Sequence, residues 1–303
     1  MQAFSSIPVF VAVVESGGFS AAADKLHITK SAVSKRINQL EDELGIRLLN
    51  RTTRKLSLTE AGQRYYEYVS QSLSLAQQGI DAVTELQGKP RGKLKLTAPM
   101  SFGVLHIAPL VAEFLKQFPD VEIDLQLEDQ MVDLIQEGFD LGIRIGHLPD
   151  SNLIAKRLSP CHSVLCASPS YIEKHGSPTK PSELSLHNCL QYSYFRGGTE
   201  WSFFSQGNEY KVVPKGRLNV NNSEAIRRAL LEGLGIGQLP TFIVAKDISA
   251  NSLRIVMPEY QLPTHAVYAV FPQRKHMPLK VRVFLDFISE RLDQNNAYWD
   301  TCL

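Results

Sequence analysis

A chain of 303 residues is long enough for two domains, each with a core of its own. Hydrophobic content of 44%, charged content of 21% and a net charge of +1 are ordinary for a soluble globular protein, so the molecule is no polycation and any nucleic-acid footprint must be local. No apolar run approaches the ~20 residues that span a bilayer, and "MQAFSSIPVFVAVVESGGF" lacks the cationic start and cleavage site of a signal peptide. The expectation is a cytoplasmic protein with no membrane partner.

Residues 4 to 14, "FSSIPVFVAVV", predict an apolar helix that stops at Ser16-Gly17-Gly18. Ser20 is placed to cap a second, alanine-rich helix, whose small side chains allow close packing. His27-Ile28 turns the chain, Thr29 caps, and a third helix follows in "KSAVSKRINQLEDELG". Its Val33, Ile37, Leu40 and Leu44 recur at helical spacing, which predicts a buried face. Lys30, Ser31, Ser34, Lys35 and Asn38 share the other face. Cations at the start of a helix and acids at its end oppose the helix dipole, so a negative partner outside the helix is the natural cause. The same bias runs wider: between positions 25 and 55, Lys25, Lys30, Lys35, Arg36, Arg47, Arg51, Arg54 and Lys55 face only Glu41, Asp42 and Glu43.

Two short helices joined by a tight turn, the second one basic, read as a helix-turn-helix. After Gly45, Leu56 and Leu58 alternate with Lys55 and Ser57, which predicts a small β-ribbon tipped by Arg51, Thr52, Thr53 and Arg54. From Thr59 onward, Tyr66, Val69, Leu73, Ala76, Ile80 and Val83 form an uncharged heptad seam. A helix of ~27 residues would carry it over about 40 Å, and a seam that long is expected to bury itself in a partner chain. "GKPRG" (88–92) ends the helix and reads as a hinge.

Past the hinge, strand patterns ("KLKLTA", "VEIDLQL", "FDLGIRIG", "SVLCAS", "RLNV", "HAVYAVF") alternate with helical ones ("LHIAPLVAEFLKQF", "VDLIQEG", "SEAIRRALLEG", "VRVFLDFISERL"). That order predicts α/β architecture, sheets covered by helices. "GLGIG" (233–237) partly mimics a dinucleotide fingerprint, but it precedes "QLP" rather than opening a helix, so a strand entry fits better. Cys161, Cys166 and Cys189 with His187 lack the paired spacing of a zinc site and read as structural. No nucleophile elbow, Walker loop or HExxH is present, so catalysis has no support and neither a metal nor a cofactor is expected.

The run "FSAAADKLHITKSAVSKRINQLEDELGIRLLNRTTRKLSLTEAG", followed in order by "GKLKLTAPMSFG", "VDLIQEGFDLGIRIG" and "GLGIGQLP", resembles the LysR-type transcriptional regulators. The resemblance implies an α/β chain with an N-terminal all-α winged helix-turn-helix at 1–59, a long dimerising helix at 60–88 and an effector-binding part at 89–303. That last part would resemble a type 2 periplasmic binding protein, with subdomain I at about 89–161 and 266–303 and subdomain II at about 162–265. It further implies assembly as a dimer or dimer of dimers on double-stranded promoter DNA, with RNA polymerase as a further candidate partner. Relatives often carry Gln-Pro or Gln-Ser at the head of the recognition helix, where this chain has Lys30-Ser31.

Thr29, Lys30, Ser31, Ser34, Lys35, Asn38, Arg51, Thr53 and Arg54 are therefore the expected DNA-contacting residues, since a recognition helix enters the major groove N-terminus first. In the regulatory part, Ser101, with its neighbours Met100 and Phe102, starts a helix after a strand, and Asn221, Asn222 and Ser223 repeat that arrangement. Two helix N-termini facing each other would hold a small organic anion. Asp129, Gln130, Arg144 and Phe195 join the cleft by family analogy. The rival readings are a ligand-binding protein of transport type, which lacks the signal peptide and explains nothing of the N-terminal unit, and an NAD-dependent enzyme built on "GLGIG", which fails on motif context.

Overall fold

The structure, a computed structural model, describes residues 2–51, 56–84, 88–148, 151–194, 200–273 and 277–302. The chain forms two compact units, Met1–Gly88 and Lys89–Leu303. Among the described residues no single helix is long and apolar enough to cross a membrane.

The first unit is built on α1 (Gln2–Glu15), α2 (Phe19–Lys25) and α3 (Lys30–Leu44). Val9, Phe10, Val13, Ala22, Val33, Ile37 and Leu40 form its core. Gly17, at φ +67°, turns the chain between α1 and α2 where a side chain would be strained. Gly18, not Ser20, is the N-cap of α2, and it offers no side-chain oxygen, so the expected serine cap is not made. His27 takes a left-handed φ of 52° to aim α3, and Thr29 Oγ1 accepts from the Ala32 N–H at 3.2 Å, a true N-cap. Gly45, left-handed at φ 67°, closes α3.

One part of the expected buried face is different. Leu44 is 40% exposed, and Glu41 is buried in the head instead. Its carboxylate accepts from Arg47 (2.7 Å) and from the Leu48 and Leu49 N–H groups (2.9 and 3.1 Å). Glu41 thus anchors the segment that enters the ribbon formed by β1 (Leu49–Arg51) and β2 (Leu56–Leu58), paired antiparallel with Arg51 opposite Leu56. The ribbon tip, with Thr53 and Arg54, lies outside the described residues.

Helix α4 (Glu60–Thr84) starts where Thr59 Oγ1 accepts from the Gly62 N–H at 2.9 Å. Gly62 is required there, because a Cβ would stand 2.0 Å from the Leu48 carbonyl oxygen. Its seam has two fates. Val69 is buried, and Tyr66 and Leu73 pack against the core of the same chain's head. Ala76 is exposed, and Ile80 and Val83 are 58% and 67% exposed. Only the C-terminal half of the helix keeps an uncovered apolar face among the described residues.

The second unit opens with β3 (Gly92–Ala98), followed by α5 (Met100–Phe102), a π turn at Gly103–Ile107 and α6 (Ala108–Gln117). Then come β4 (Val121–Leu127), β5 (Leu141–Ile145) and β6 (Leu153–Cys161). "VDLIQEG" is not a helix: Asp133 Oδ1 accepts from the Ile135 and Gln136 N–H groups and left-handed Gly138 closes the turn after one winding. The chain continues with β7 (Ser163–Ala167), α7 (Pro169–His175), β8 (Cys189–Tyr192), the hairpin β9 (Trp201–Ser205) and β10 (Asn208–Val212), and β11 (Asn219–Val220). Helix α8 (Ser223–Leu231), β12 (Ile236–Pro240), α9 (Thr241–Ser249), β13 (Arg254–Ile255), β14 (His265–Pro272) and α10 (Leu279–Arg291) complete it.

These strands make two five-stranded sheets, β4-β3-β5-β14-β6 and β11-β8-β12-β7-β13. The chain leaves the first sheet after Cys161 and returns to it at His265. In the first sheet β3 runs into the start of α5, and in the second β11 and β12 run into the starts of α8 and α9, the position where open α/β folds bind ligands. "GLGIG" runs into β12, and a Cβ at Gly235 would stand 2.1 Å from the Asn188 carbonyl oxygen, so its glycines serve chain packing.

Candidate functional site

On the first unit, Lys30, Ser31, Lys35 and Thr29 are exposed and Ser34 and Asn38 half-buried, all on the start and one face of α3. Thr29 Oγ1 also lies 3.0 Å from Ser31 Oγ, which orders the two hydroxyls at the helix start. Among the described residues neither Lys30 nor Lys35 has an acidic partner, whereas Lys25 is held by Glu15 at 2.7 Å. The uncompensated cations therefore gather on the helix that the turn projects. Arg51 ends β1 opposite Leu56, at the end of the ribbon next to its tip.

In the second unit, a cavity of about 790 Å³ lies between α5 and the π turn on one side and α8 and α9 on the other. Met100, Ser101 and Asn222 line it, and Ser223 does not. Asn222 is the N-cap of α8, its Oδ1 accepting from Ala225 N–H at 3.0 Å, so Ser223 is the first helical residue and not the cap. Phe102 is fully buried beneath the cavity, edge-on to Phe242 and Trp299. Arg144 is buried in β5 and donates to the Ile143 carbonyl at 3.1 Å, and with exposed Gln130 and Asn221 it stays off the cavity wall. Phe195 lies outside the described residues.

Asp129 occupies an unexpected place. Its carboxylate accepts from the Met100 N–H at 2.8 Å, so a side chain of the protein fills the anion seat at the start of α5. The phenol of Tyr192, from the other sheet, is close enough to act on the same carboxylate. Burial pushes the Asp129 carboxyl above its usual range, against the opposing pull of those two groups.

Several lining residues escape sequence reasoning. The cavity wall is apolar at Val104, Leu105, Phe242, Ile243 and Trp299, and cationic at Arg227, Arg228 and Lys246. Arg227 is bound by Asp247 through two nitrogens, at 2.5 and 2.7 Å, and by Glu224 at 2.6 Å, which clamps α8 to α9. Those bonds hold its guanidinium well above its ordinary pKa. Arg228 shares Glu224 at 3.4 Å, while Lys246 is exposed and has no acidic partner among the described residues. The available charge on the wall is positive. "SEAIRRALLEG" carried a signal for the two arginines, three and four residues from Glu224 on one helix face. Burial pushes the thiols of Cys161, Cys166 and Cys189 up to about 12, consistent with packing residues.

His106, on the π turn, is 7% exposed. Burial lowers its pKa to about 4, helped by the Lys246 charge and opposed by a bond to the Phe242 backbone. The unfolded chain binds a proton near pH 6.5 that the folded chain refuses until about pH 4, so stability is lost as pH falls through that window. The regulatory unit should lose on the order of 2 kcal/mol between about pH 7 and pH 5 from this group. Denaturant midpoints of His106→Gln should show that much less pH dependence than wild type; equal dependence would mean that other groups set it.

The comparisons with known proteins agree with both halves. Residues 4–63 match the family model "Bacterial regulatory helix-turn-helix protein, lysR family", and residues 87–293 match "LysR substrate binding domain". The chain is 36% identical over 283 residues to the HTH-type transcriptional regulator PtxR of Pseudomonas aeruginosa, covering 93% of this chain and 91% of that one. The full-length structure of the Vibrio cholerae virulence activator AphB superposes with a TM-score of 0.65 at 30% identity, over 96% of this chain and 99% of that one. CrgA, a LysR-type regulator from Neisseria meningitidis, gives a TM-score of 0.62 at 35% identity, over 95% and 98%. A reading helix, a two-sheet regulatory unit with a cavity and whole-length likeness to DNA-binding regulators converge on one assignment: the chain belongs to the LysR family of DNA-binding transcriptional regulators.

Proposed function

We propose that α3 enters the major groove of operator DNA and that the cavity between α5 and α8 takes a small organic acid which changes how the protein sits on that DNA. The observation that supports this most is the pair of unneutralised cations, Lys30 and Lys35, on the exposed start of α3. Lys donates to guanine acceptors and to phosphate, and the hydroxyls of Ser31 and Ser34 serve either partner. Arg51, Thr53 and Arg54 suit backbone phosphates or a narrow minor groove beside them. Residues 1–59 then act as the reading head, 60–88 as the dimerising helix, and 89–303 as the effector-binding part. The protein works in the cytoplasm as a dimer or dimer of dimers, with RNA polymerase as its partner at the promoter, and as a regulator rather than a catalyst.

An organic acid fits the cavity because its body would lie on Met100, Val104, Leu105 and Phe242 while its carboxylate meets Lys246 and Arg228. Asp129 already fills the α5 seat, so the acid group belongs at the cationic wall and not at Met100 N–H. A volume of about 790 Å³ is in the range of small-ligand pockets. The test is a gel-shift on the promoter beside the protein's own reading frame, with and without the acids that raise its melting temperature in a screen. A shift of that promoter, altered by a stabilising acid, is the expected result. No preference for that DNA over unrelated sequence would contradict the reading.

A further inference from the structure

After α10 the chain turns back across the regulatory unit as a 3-10 segment, Tyr298–Cys302. Within three residues it touches parts of the fold that lie far apart in sequence. Tyr298 Oη is 2.5 Å from Nδ1 of His106 on the π turn. The Trp299 ring is 4.8 Å from that of His106 and 5.6 Å from that of Phe102, both on the first-sheet side, and 6.1 Å from that of Phe242 on α9. Asp300 Oδ2 is 2.7 Å from Nδ1 of His162, in the connection where the chain passes from one sheet to the other. The His162 carbonyl in turn accepts from the backbone N–H of Thr241, the first residue of α9, at 2.9 Å. Tyr298 and Trp299 both line the cavity, Trp299 nearly buried and Tyr298 half-exposed.

We propose that Tyr298 and Trp299 are specificity-determining residues of the cavity, which select an acid with a planar aromatic body. This rests on the cavity being the effector site. Four of the lining residues, His106, Phe242, Tyr298 and Trp299, form one ring cluster with centroids 4.8–6.1 Å apart, and aliphatic Met100, Val104 and Leu105 line the same space. A flat ring seated there meets ring faces and edges, an arrangement worth more than its buried area alone. A puckered aliphatic ring of the same size fills the volume without those contacts. Through Asp300 and His162 the same segment is tied to the crossing between the sheets, so a ligand that displaces Trp299 moves a group bonded to that crossing.

The experiment uses the full-length protein and two probes of matched size, benzoate and cyclohexanecarboxylate, titrated calorimetrically at millimolar concentration. Wild type should favour benzoate by about three- to tenfold. Trp299→Leu should bind both acids alike, and Trp299→Phe should restore the preference, a readout that a merely structural role would not move. Tyr298→Leu, at a half-exposed position, repeats the test should Trp299→Leu fold poorly. In a Trp201→Phe background Trp299 is the sole indole, since the chain has 2 tryptophans; its emission should change saturably with benzoate. An unchanged preference in both leucine variants, or binding with no change in Trp299 emission, overturns this proposal and leaves the cavity standing. Absence of heat with either acid in wild type overturns the cavity as an acid-binding site and this proposal with it.

Discussion

Glu41→Ala should destabilise the head by about 2–5 kcal/mol and abolish high-affinity operator binding. The carboxylate, 2% exposed, serves Arg47 and two backbone N–H groups, and those N–H groups belong to Leu48 and Leu49, which are 1% and 3% exposed. Removing the acceptor leaves two buried donors unsatisfied, at about 1–3 kcal/mol each. Against a typical domain stability of ~5–15 kcal/mol, that is a large fraction. The Arg47 ion pair adds little, because that guanidinium is 67% exposed and solvent screens it. Glu41→Gln keeps one acceptor and should fall between alanine and wild type. Denaturant unfolding of the full chain should show the head transition moved and the regulatory transition unmoved. A head midpoint unchanged in Glu41→Ala would mean that the segment entering the ribbon is held by something other than this carboxylate.

Ile80→Asp should separate the protomers and weaken binding to a two-half-site operator by on the order of 10²–10⁴-fold, the usual gain from linking two reading heads. The structure narrows where such a charge must go. Val69 is part of the head core, so a charge there would unfold the head and say nothing about assembly. Ile80 and Val83 are exposed on α4 with no head residue over them, and an aspartate at Ile80 is harmless to the isolated chain but costly in a helix pair. Sedimentation of the variant should give monomers, or aggregates of them. A variant that keeps the wild-type oligomer and operator affinity would show that the protomers meet through another surface.

Much of the architecture was legible because it rests on local signals. Val33, Ile37 and Leu40 at helical spacing, Thr29 before them and Gly45 after them specify α3 without help from distant chain. The ribbon and most strands of the regulatory unit follow from alternation. Illegible features depend on contacts between distant residues. Glu41 reads as one of three solvated acids, and only the fold reveals the donors that surround it. Asp129 meets Met100 N–H from 29 positions away, so the helix start inferred from "PMSFG" as an anion seat is already filled by the chain itself. "VDLIQEG" has helical periodicity, but Asp133 bonds its own backbone and Gly138 ends the winding. The Tyr298-Trp299 pair sits beyond the last strong helical pattern, where nothing in the local sequence points to a cavity.

The most direct test of DNA reading by α3 is the salt dependence of operator affinity for wild type, Lys30→Ala and Lys35→Ala. Both side chains are exposed, so the folded head should be unaffected, with wild-type melting as the control. Removing one lysine–phosphate interaction should flatten the slope of log affinity against log salt by about 0.9. Lys35→Ala should show that change with weaker binding to all sequences, and Lys30→Ala should also relax base preference by ~1–3 kcal/mol at one position. Affinity and slope identical to wild type in both variants would contradict the assignment of α3 as the element that meets DNA.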